Sequence, residues 1–177
     1  MFYPAHVNER KEQVTTDSVE QDIINGQIYR VWDTSYNIAP DSSFNLAFVP
    51  SGSTWKVKIF LTTDCSMNLW AHEDISWNTN GTELTARNFN RESSNTCSVK
   101  VYAQPDTIDW NTGTLISKKE HFVNQPTAGS AATNYGVSAD EESFILHRSK
   151  LFVLSFHNSG EADGFASILL RITDGVI

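Results

Sequence analysis

A two-residue alternation of apolar and polar side chains runs through most of the chain after Gly26. It is clearest in residues 54–61, TWKVKIFL, where four apolar residues alternate with Thr54, Lys56 and Lys58. Because successive side chains of a strand point to opposite faces, this pattern predicts an antiparallel strand with one buried face. Similar alternation predicts strands at 28–33, 44–49, 67–73 and 97–103.

Two later segments are apolar on both faces. They are KLFVLSF at 150–156 and, nearly so, FASILLRI at 165–172. A strand of this kind is central in its sheet or is covered by a second layer, which can be another subunit. With the turn signals between segments, the pattern predicts an all-β, antiparallel β-sandwich or jelly-roll-like fold of about eight strands. The spacing does not determine the strand order.

Two regions break the alternation. Residues 1–26 carry five acids, two bases and few apolar residues before Ile23. A helical turn capped by Asp17 or Ser18 is one interpretation, but an extended N-terminal arm is favoured. We therefore expect an arm at 1–26 and a sandwich domain at 27–177. Residues 117–149 are rich in small residues, Gly and acids, and are interpreted as a long loop that is functional or disordered.

Charge and hydropathy exclude two classes of partner. The chain has 13 basic and 21 acidic residues, a net charge of −8, and an acidic surface repels phosphate, so we expect no nucleic acid. No apolar run approaches the ~20 residues that span a bilayer, so we expect no membrane. The N-terminal residues do not resemble a secretion signal. Cys65 and Cys97 are therefore expected to be reduced, buried small residues, since a disulfide requires their strands to be neighbours.

No motif predicts chemistry. The five histidines show no zinc-binding spacing, and the nucleophile elbow and both glycine-rich phosphate loops are absent from the sequence. The tight group at residues 72–74, His-Glu-Asp, lies on a strand whose neighbours point apart, which indicates a solvated strand end. We expect no enzyme activity, no catalytic residue, no metal and no cofactor.

Three tryptophans support a second interpretation. Trp70, Trp77 and Trp110 on a β-face can stack on sugar rings. Equally, they can cover a sheet edge or fill a subunit interface, where aromatic residues are enriched.

The segment GTELTARNFNRESSNTCSVKVY, residues 81–102, is dense in hydrogen-bonding side chains. Short polar side chains can bond to nearby backbone, and arginines can fork onto carbonyls or a carboxylate across a subunit boundary. We predict a rigid loop built for polar contact, with an ordinary hairpin loop as the alternative. The residues concerned are Arg87, Asn88, Asn90, Arg91, Ser93, Ser94, Asn95 and Thr96.

The same segment carries a resemblance. Its pattern G-T-x-L-T-x-x-N-x-N-R-x-S-S-N-T, followed by V-x-V-Y, resembles a family of small virion proteins of tailed phages. Further matches are IAPDSSFNL at 38–46, NTGTL at 111–115 and EESFILHRSKLFVLSFHN at 141–158. The resemblance spans roughly residues 37–173. The chain departs at Phe152, where the family commonly has Tyr, and at Asp41, where it commonly has Gly.

The resemblance implies a capsid decoration, or cement, protein with a β-sandwich fold. It would be a homotrimer bound to the major capsid protein on the outer virion surface after assembly in the host cytoplasm. The apolar outer faces of the last strands would meet at the trimer seam. The alternative is a tail-associated receptor- or carbohydrate-binding module that uses the three tryptophans. Contacts with the capsid or a neighbouring subunit are expected from Phe2, Tyr3, Arg10, Arg87, Asn88, Asn90, Arg91 and Asn95.

Overall fold

The computed structural model describes residues 6–7, 13–14, 18–32, 36–121 and 140–174, and they are nearly all β. The one helix among them is α1, Ser18–Ile24. Two small ladders pair β1 (His6–Val7) with β2 (Gln13–Val14), and β8 (Ser76–Thr79) with β12 (Asp106–Asp109). The other strands form two six-stranded antiparallel sheets.

Sheet one has the order β10-β3-β16-β6-β14, and β4 also pairs with β16. Its strands are β3 (Ile28–Trp32), β4 (Tyr36–Ile38), β6 (Trp55–Thr63), β10 (Ala86–Asn88), β14 (Asp140–Leu146) and β16 (Gly164–Asp174).

Sheet two has the order β13-β7-β15-β5-β11-β9. Its strands are β5 (Ser43–Val49), β7 (Met67–Glu73), β9 (Thr82–Leu84), β11 (Lys100–Ala103), β13 (Thr114–His121) and β15 (Phe152–Asn158).

The strand order is that of a jelly roll. Two quartets, β3-β16-β6-β14 and β13-β7-β15-β5, are connected so that the chain repeatedly crosses from one sheet to the other. The segment between β7 and β13 adds β10 to an edge of sheet one and β11 with β9 to an edge of sheet two. The prediction of an antiparallel, jelly-roll-like sandwich is confirmed, with more strands than the eight expected.

The main core lies between the sheets and is made by the apolar faces that the alternation identifies. Phe48 and Phe152 meet edge to face across neighbouring strands, with ring centroids 5.8 Å apart. Tyr36 stacks on Phe44 at 3.5 Å. Burying rings of this size is the main source of stability in such a sandwich. The largest fully buried side chains here are Trp55, Phe44, Phe48, Phe152 and Phe156.

A second apolar cluster lies on the outer face of sheet two. The β8–β12 ribbon covers it, because Trp77 and Ile108 pack against a group that includes Tyr102 and Val153. Two features explain why β15 is apolar on both faces. It lies in the middle of sheet two, between β7 and β5, and on its outer face Val153 is covered by this ribbon. The covered Val153 is not available for contact with another subunit, and the trimer seam itself stays a prediction. On β16, Phe165 is 42% exposed.

Two secondary-structure predictions need correction. Residues 117–149 are not one continuous loop, since β13 and β14 occupy part of them as sheet-edge strands, while 122–139 lie outside the described residues. Edge strands are commonly polar and charged, which conceals their alternation. In the N-terminal region, residues 18–24 are helical rather than extended.

Both cysteines are free thiols, as expected for reduced residues; Cys65 is buried and Cys97 half-buried. Within the described ranges, no helix has the length and apolar character needed to cross a bilayer.

Candidate functional site: a basic sheet face and its arginine groove

The site is built on the C-terminal end of α1. The Gly26 N–H donates to the Ile23 carbonyl and the Gln27 N–H to the Asp22 carbonyl, each at 2.9 Å. This pair of bonds is a Schellman motif, which requires a left-handed residue after the helix. Gly26 supplies it with φ of 67°. The helix therefore ends at a fixed point against the loop that follows β10.

Asparagine side chains of that loop then cap the end of the helix. A helix end leaves carbonyl groups without intrahelical partners. Three side-chain amides donate to carbonyls there, and we call this group the asparagine clamp. Its bonds are Asn88 Nδ2 to the Gly26 carbonyl (2.9 Å), Asn90 Nδ2 to the Ile24 carbonyl (2.9 Å) and Asn95 Nδ2 to the Asn25 carbonyl (3.2 Å).

The side-chain oxygens of the same loop fix its own turn. The Asn90 N–H donates to Asn88 Oδ1 at 2.9 Å, and the Glu92 N–H donates to Asn90 Oδ1 at 3.0 Å. The Asn95 N–H donates to Ser93 Oγ at 3.1 Å. These are the local bonds that short polar side chains make in turns. The predicted rigid loop is therefore present, but half of its bonds reach a helix more than 60 residues away in sequence.

A groove of about 650 Å³ lies beside the asparagine clamp. Three arginines line it, together with one carboxylate, that of Glu83. Phe89 adds an apolar surface and is 40% exposed. We call this the arginine groove. Its lining residues are Arg30, Glu83, Leu84, Thr85, Arg87, Asn88, Phe89 and Arg91.

The arginine groove is continuous with a line of cations across sheet one. Arg87 on β10 is directly opposite Arg30 on β3, and Arg30 is opposite Arg171 on β16. Arg171 is in turn opposite Lys58 on β6. Because neighbouring strands lie ~4.8 Å apart, this basic row is about 14 Å long.

Position along the strands shows that the basic row faces outward. Arg30, Lys58 and Arg171 each lie between buried residues of their own strands, and Lys56 follows the same outward pattern. Five of the 13 basic residues are therefore on one sheet face. Among the outward side chains that the structure describes on β3, β6, β10 and β16, no side chain is acidic.

The basic row places like charges next to one another on neighbouring strands. Like charges directly opposite one another destabilise a sheet. The Arg171 guanidinium lies 5.7 Å from the centre of the Phe60 ring, and this cation–π contact offsets part of the cost. The row is a local concentration of positive charge in a chain whose net charge is −8.

The residues expected to make contacts fall into three groups. Phe2, Tyr3 and Arg10 lie outside the described residues. Arg87 and Arg91 are exposed and line the arginine groove. Asn88, Asn90 and Asn95 form the asparagine clamp, and Asn88 also lines the groove. The contact role of all eight stays a prediction. Three residues of the basic row were not singled out by sequence, because only strand register brings them together: Arg30, Lys58 and Arg171.

Two of the three tryptophans have their rings largely covered by neighbouring side chains. Trp70 stacks on His157 at 5.3 Å, and Lys118 Nζ lies 5.9 Å from its ring centre. Trp77 is half-buried and packs against the cluster beneath the β8–β12 ribbon. Trp110 is 41% exposed, and its ring meets a histidine edge to face. A shared sugar-stacking surface is therefore not evident among them.

Two groups of titratable side chains in the described residues bear on chemistry: residues 72–74 with Lys150, and Cys97. Burial lowers the pKa of His72, while Glu73 and Asp74 lie 3.1 and 3.6 Å from the Lys150 ammonium. Burial also raises the pKa of Cys97 to about 11, which disfavours the reactive thiolate. In the part of the chain described, no group of three or more His, Cys, Asp or Glu side chains could hold a metal ion.

No protein-family model matches the chain, and no curated protein matches it.

Proposed function

We propose that this chain is a structural virion protein that decorates a phage capsid and stabilises it by non-covalent contacts with the major capsid protein lattice. The observation that carries the proposal is the outward basic row, held beside the arginine groove in an otherwise acidic chain. The phage-like motifs at 38–46, 81–102 and 141–158 supply the identity of the partner.

Rigidity suits this role. Ordering loops and side chains on binding costs free energy, so a preorganised contact surface binds more tightly than a flexible one. The asparagine clamp fixes the loop that carries Arg91, and β10 fixes Arg87 in the sheet. Both guanidiniums can therefore meet a partner without first ordering the backbone that bears them.

The homotrimer is part of the same proposal. Three copies that contact one lattice multiply weak individual contacts by avidity. Since the β8–β12 ribbon covers Val153 of β15, self-contact is proposed for another surface. Trp110, Leu115 and Ile116 are exposed apolar side chains near the β13 edge of sheet two and suit such a contact.

The proposal assigns no catalytic step and no cofactor to the chain. It places the protein on the outer surface of the virion. The alternative, a tail-associated receptor- or carbohydrate-binding module, has less support because Trp70 and Trp77 pack against other side chains of this chain.

The test uses shells from which the protein has been removed by deleting its gene. Purified protein added back should saturate the shells at a fixed number of copies, in the tens to hundreds per particle. It should also raise the temperature at which the shells release DNA. Failure to bind the shells, or attachment only at the tail, would contradict decoration, and tail attachment would favour the alternative.

A further inference from the structure

We infer that the basic row is a docking site for a carboxylate-rich segment of a partner protein, which lies across sheet one and enters the arginine groove. This names the chemistry of the partner surface. It rests on the proposed function only for the identity of the protein that supplies the segment.

The length of the basic row matches an extended peptide. Its four cations span about 14 Å at the usual strand spacing. In an extended chain, alternate residues share a side, so three acids at positions i, i+2 and i+4 span about 13 Å. A segment that alternates acidic and small polar residues can therefore place a carboxylate near each gap between neighbouring cations.

The chemistry of the cations suits carboxylates. Three of the four are arginines, whose planar guanidinium donates two parallel hydrogen bonds to one carboxylate. Charge complementarity along the row would also relieve the repulsion between its like-charged neighbours.

Nucleic acid fits the site less well than a short acidic segment. The other eight basic residues are outnumbered by the 21 acids of the chain, one of which, Glu83, lines the arginine groove. Electrostatic forces between exposed groups are screened over about 8 Å at physiological salt. A short segment confined to the row meets mainly cations, whereas a phosphate polymer continues onto acidic surface and is repelled there.

The arginine groove gives the segment a place to end. Arg87 belongs to both features, so a chain lying along the basic row reaches the groove without a gap. There Arg91 offers a further cation and Phe89 an exposed apolar ring. We therefore expect an apolar residue in the partner segment next to its acidic run.

The test measures binding of a fluorescent peptide of alternating Glu and Thr, eleven residues long, by anisotropy. Two comparison probes are the same peptide with Gln for Glu, and a single-stranded oligonucleotide of equal charge. Wild-type protein should bind the Glu peptide, and bind it more tightly than either comparison probe. Tighter binding of the oligonucleotide would overturn the assignment to carboxylates.

Matched variants locate the site. Arg87→Gln with Arg171→Gln removes two charges from the basic row, and Lys118→Gln with Lys119→Gln removes two charges from β13, at the far edge of sheet two. The row variant should lose about tenfold in affinity and the control less than about twofold, since an exposed charge contact is worth a few-fold. Equal losses would overturn the inference. Arg87→Gln alone, at an exposed position, provides the same comparison should the double variant misfold.

Shell binding separates this inference from the proposed function. If the Glu peptide binds at the basic row but the protein does not attach to shells, the inference stands and decoration is wrong. If shells bind the row variant as tightly as wild type, decoration stands and the docking site is wrong.

Discussion

Replacing Gly26 by Ala should destabilise the fold, because Gly26 is buried and has a left-handed backbone conformation. The left-handed φ of 67° costs an L-residue about 1–2 kcal/mol. A Cβ at this position would also collide with the Ser93 side chain. Moving Ser93 would break its 3.1 Å bond from the Asn95 N–H, which is worth about 1 kcal/mol, and would strain the asparagine clamp. We expect the free energy of unfolding to fall by about 2–4 kcal/mol.

The assay is urea unfolding of the purified protein, with thermal unfolding as a second measurement. At about 2–4 °C per kcal/mol for a chain of this size, the melting temperature should fall by roughly 5–15 °C. Gly52→Ala is the matched control, because Gly52 also has a positive φ, 87°, but its added Cβ meets nothing within 4 Å. Gly52→Ala should therefore show only the backbone cost, about 1–2 kcal/mol.

A double-mutant cycle isolates the collision. Ser93→Gly removes both Ser93 atoms that crowd the new Cβ. The double variant Gly26→Ala with Ser93→Gly should lose less free energy of unfolding than the two single variants lose together. We expect the difference to be about 1 kcal/mol or more. If Gly26→Ala and Gly52→Ala lowered the free energy of unfolding equally, and the effects in the cycle were additive, the loop that follows β10 would not be packed on Gly26 as described.

Three further predictions concern the clamp and the titratable groups. Asn90→Ala removes the 2.9 Å hydrogen bond to the Ile24 carbonyl. In urea titrations it should lower the free energy of unfolding by about 1–2 kcal/mol. The control Asn78→Ala, at an exposed position, should change that free energy by no more than ~0.5 kcal/mol. Burial lowers the pKa of His72 below its usual 6.5, so the unfolded chain takes up its proton first. Stability should therefore fall on acidification from about pH 6.5 to the lower folded pKa, and urea curves of His72→Phe that keep the same pH slope would contradict this. Burial raises the pKa of Cys97 to about 11, so little of this thiol is the reactive thiolate at pH 8. Mass spectrometry should therefore find that Cys97 is alkylated about 10²-fold more slowly in native than in unfolded protein. Rapid labelling of Cys97 in native protein would contradict this prediction.

The alternating segments made most of the sandwich predictable. Residues 44–49, 54–61 and 67–73 overlap three core strands, and the apolar residues at their alternate inward positions are buried. Two-residue periodicity reports burial directly, so long strands with one buried face are visible in sequence. The short strands β8, β9, β10 and β12 have three or four residues each, most of them at least partly exposed, so no period could reveal them.

Features that depend on register or distant contacts could not be predicted. Arg30, Lys58 and Arg171 stand alone in sequence, and only the pairing of their strands aligns them. The asparagine-rich loop was recognisable as a polar contact loop, but its main partner, the end of α1, lies far upstream. One local signal was available there, since Gly26 two residues after Ile24 is a common C-terminal signature of a helix.

The most direct test of the account is a cryo-electron microscopy reconstruction of the virion. Capsid decoration predicts this jelly roll on the outer shell in many copies around symmetry axes, with the basic row and arginine groove facing an acidic surface of the capsid lattice. A reconstruction without it on the shell, or with sheet one facing solvent, would contradict the account.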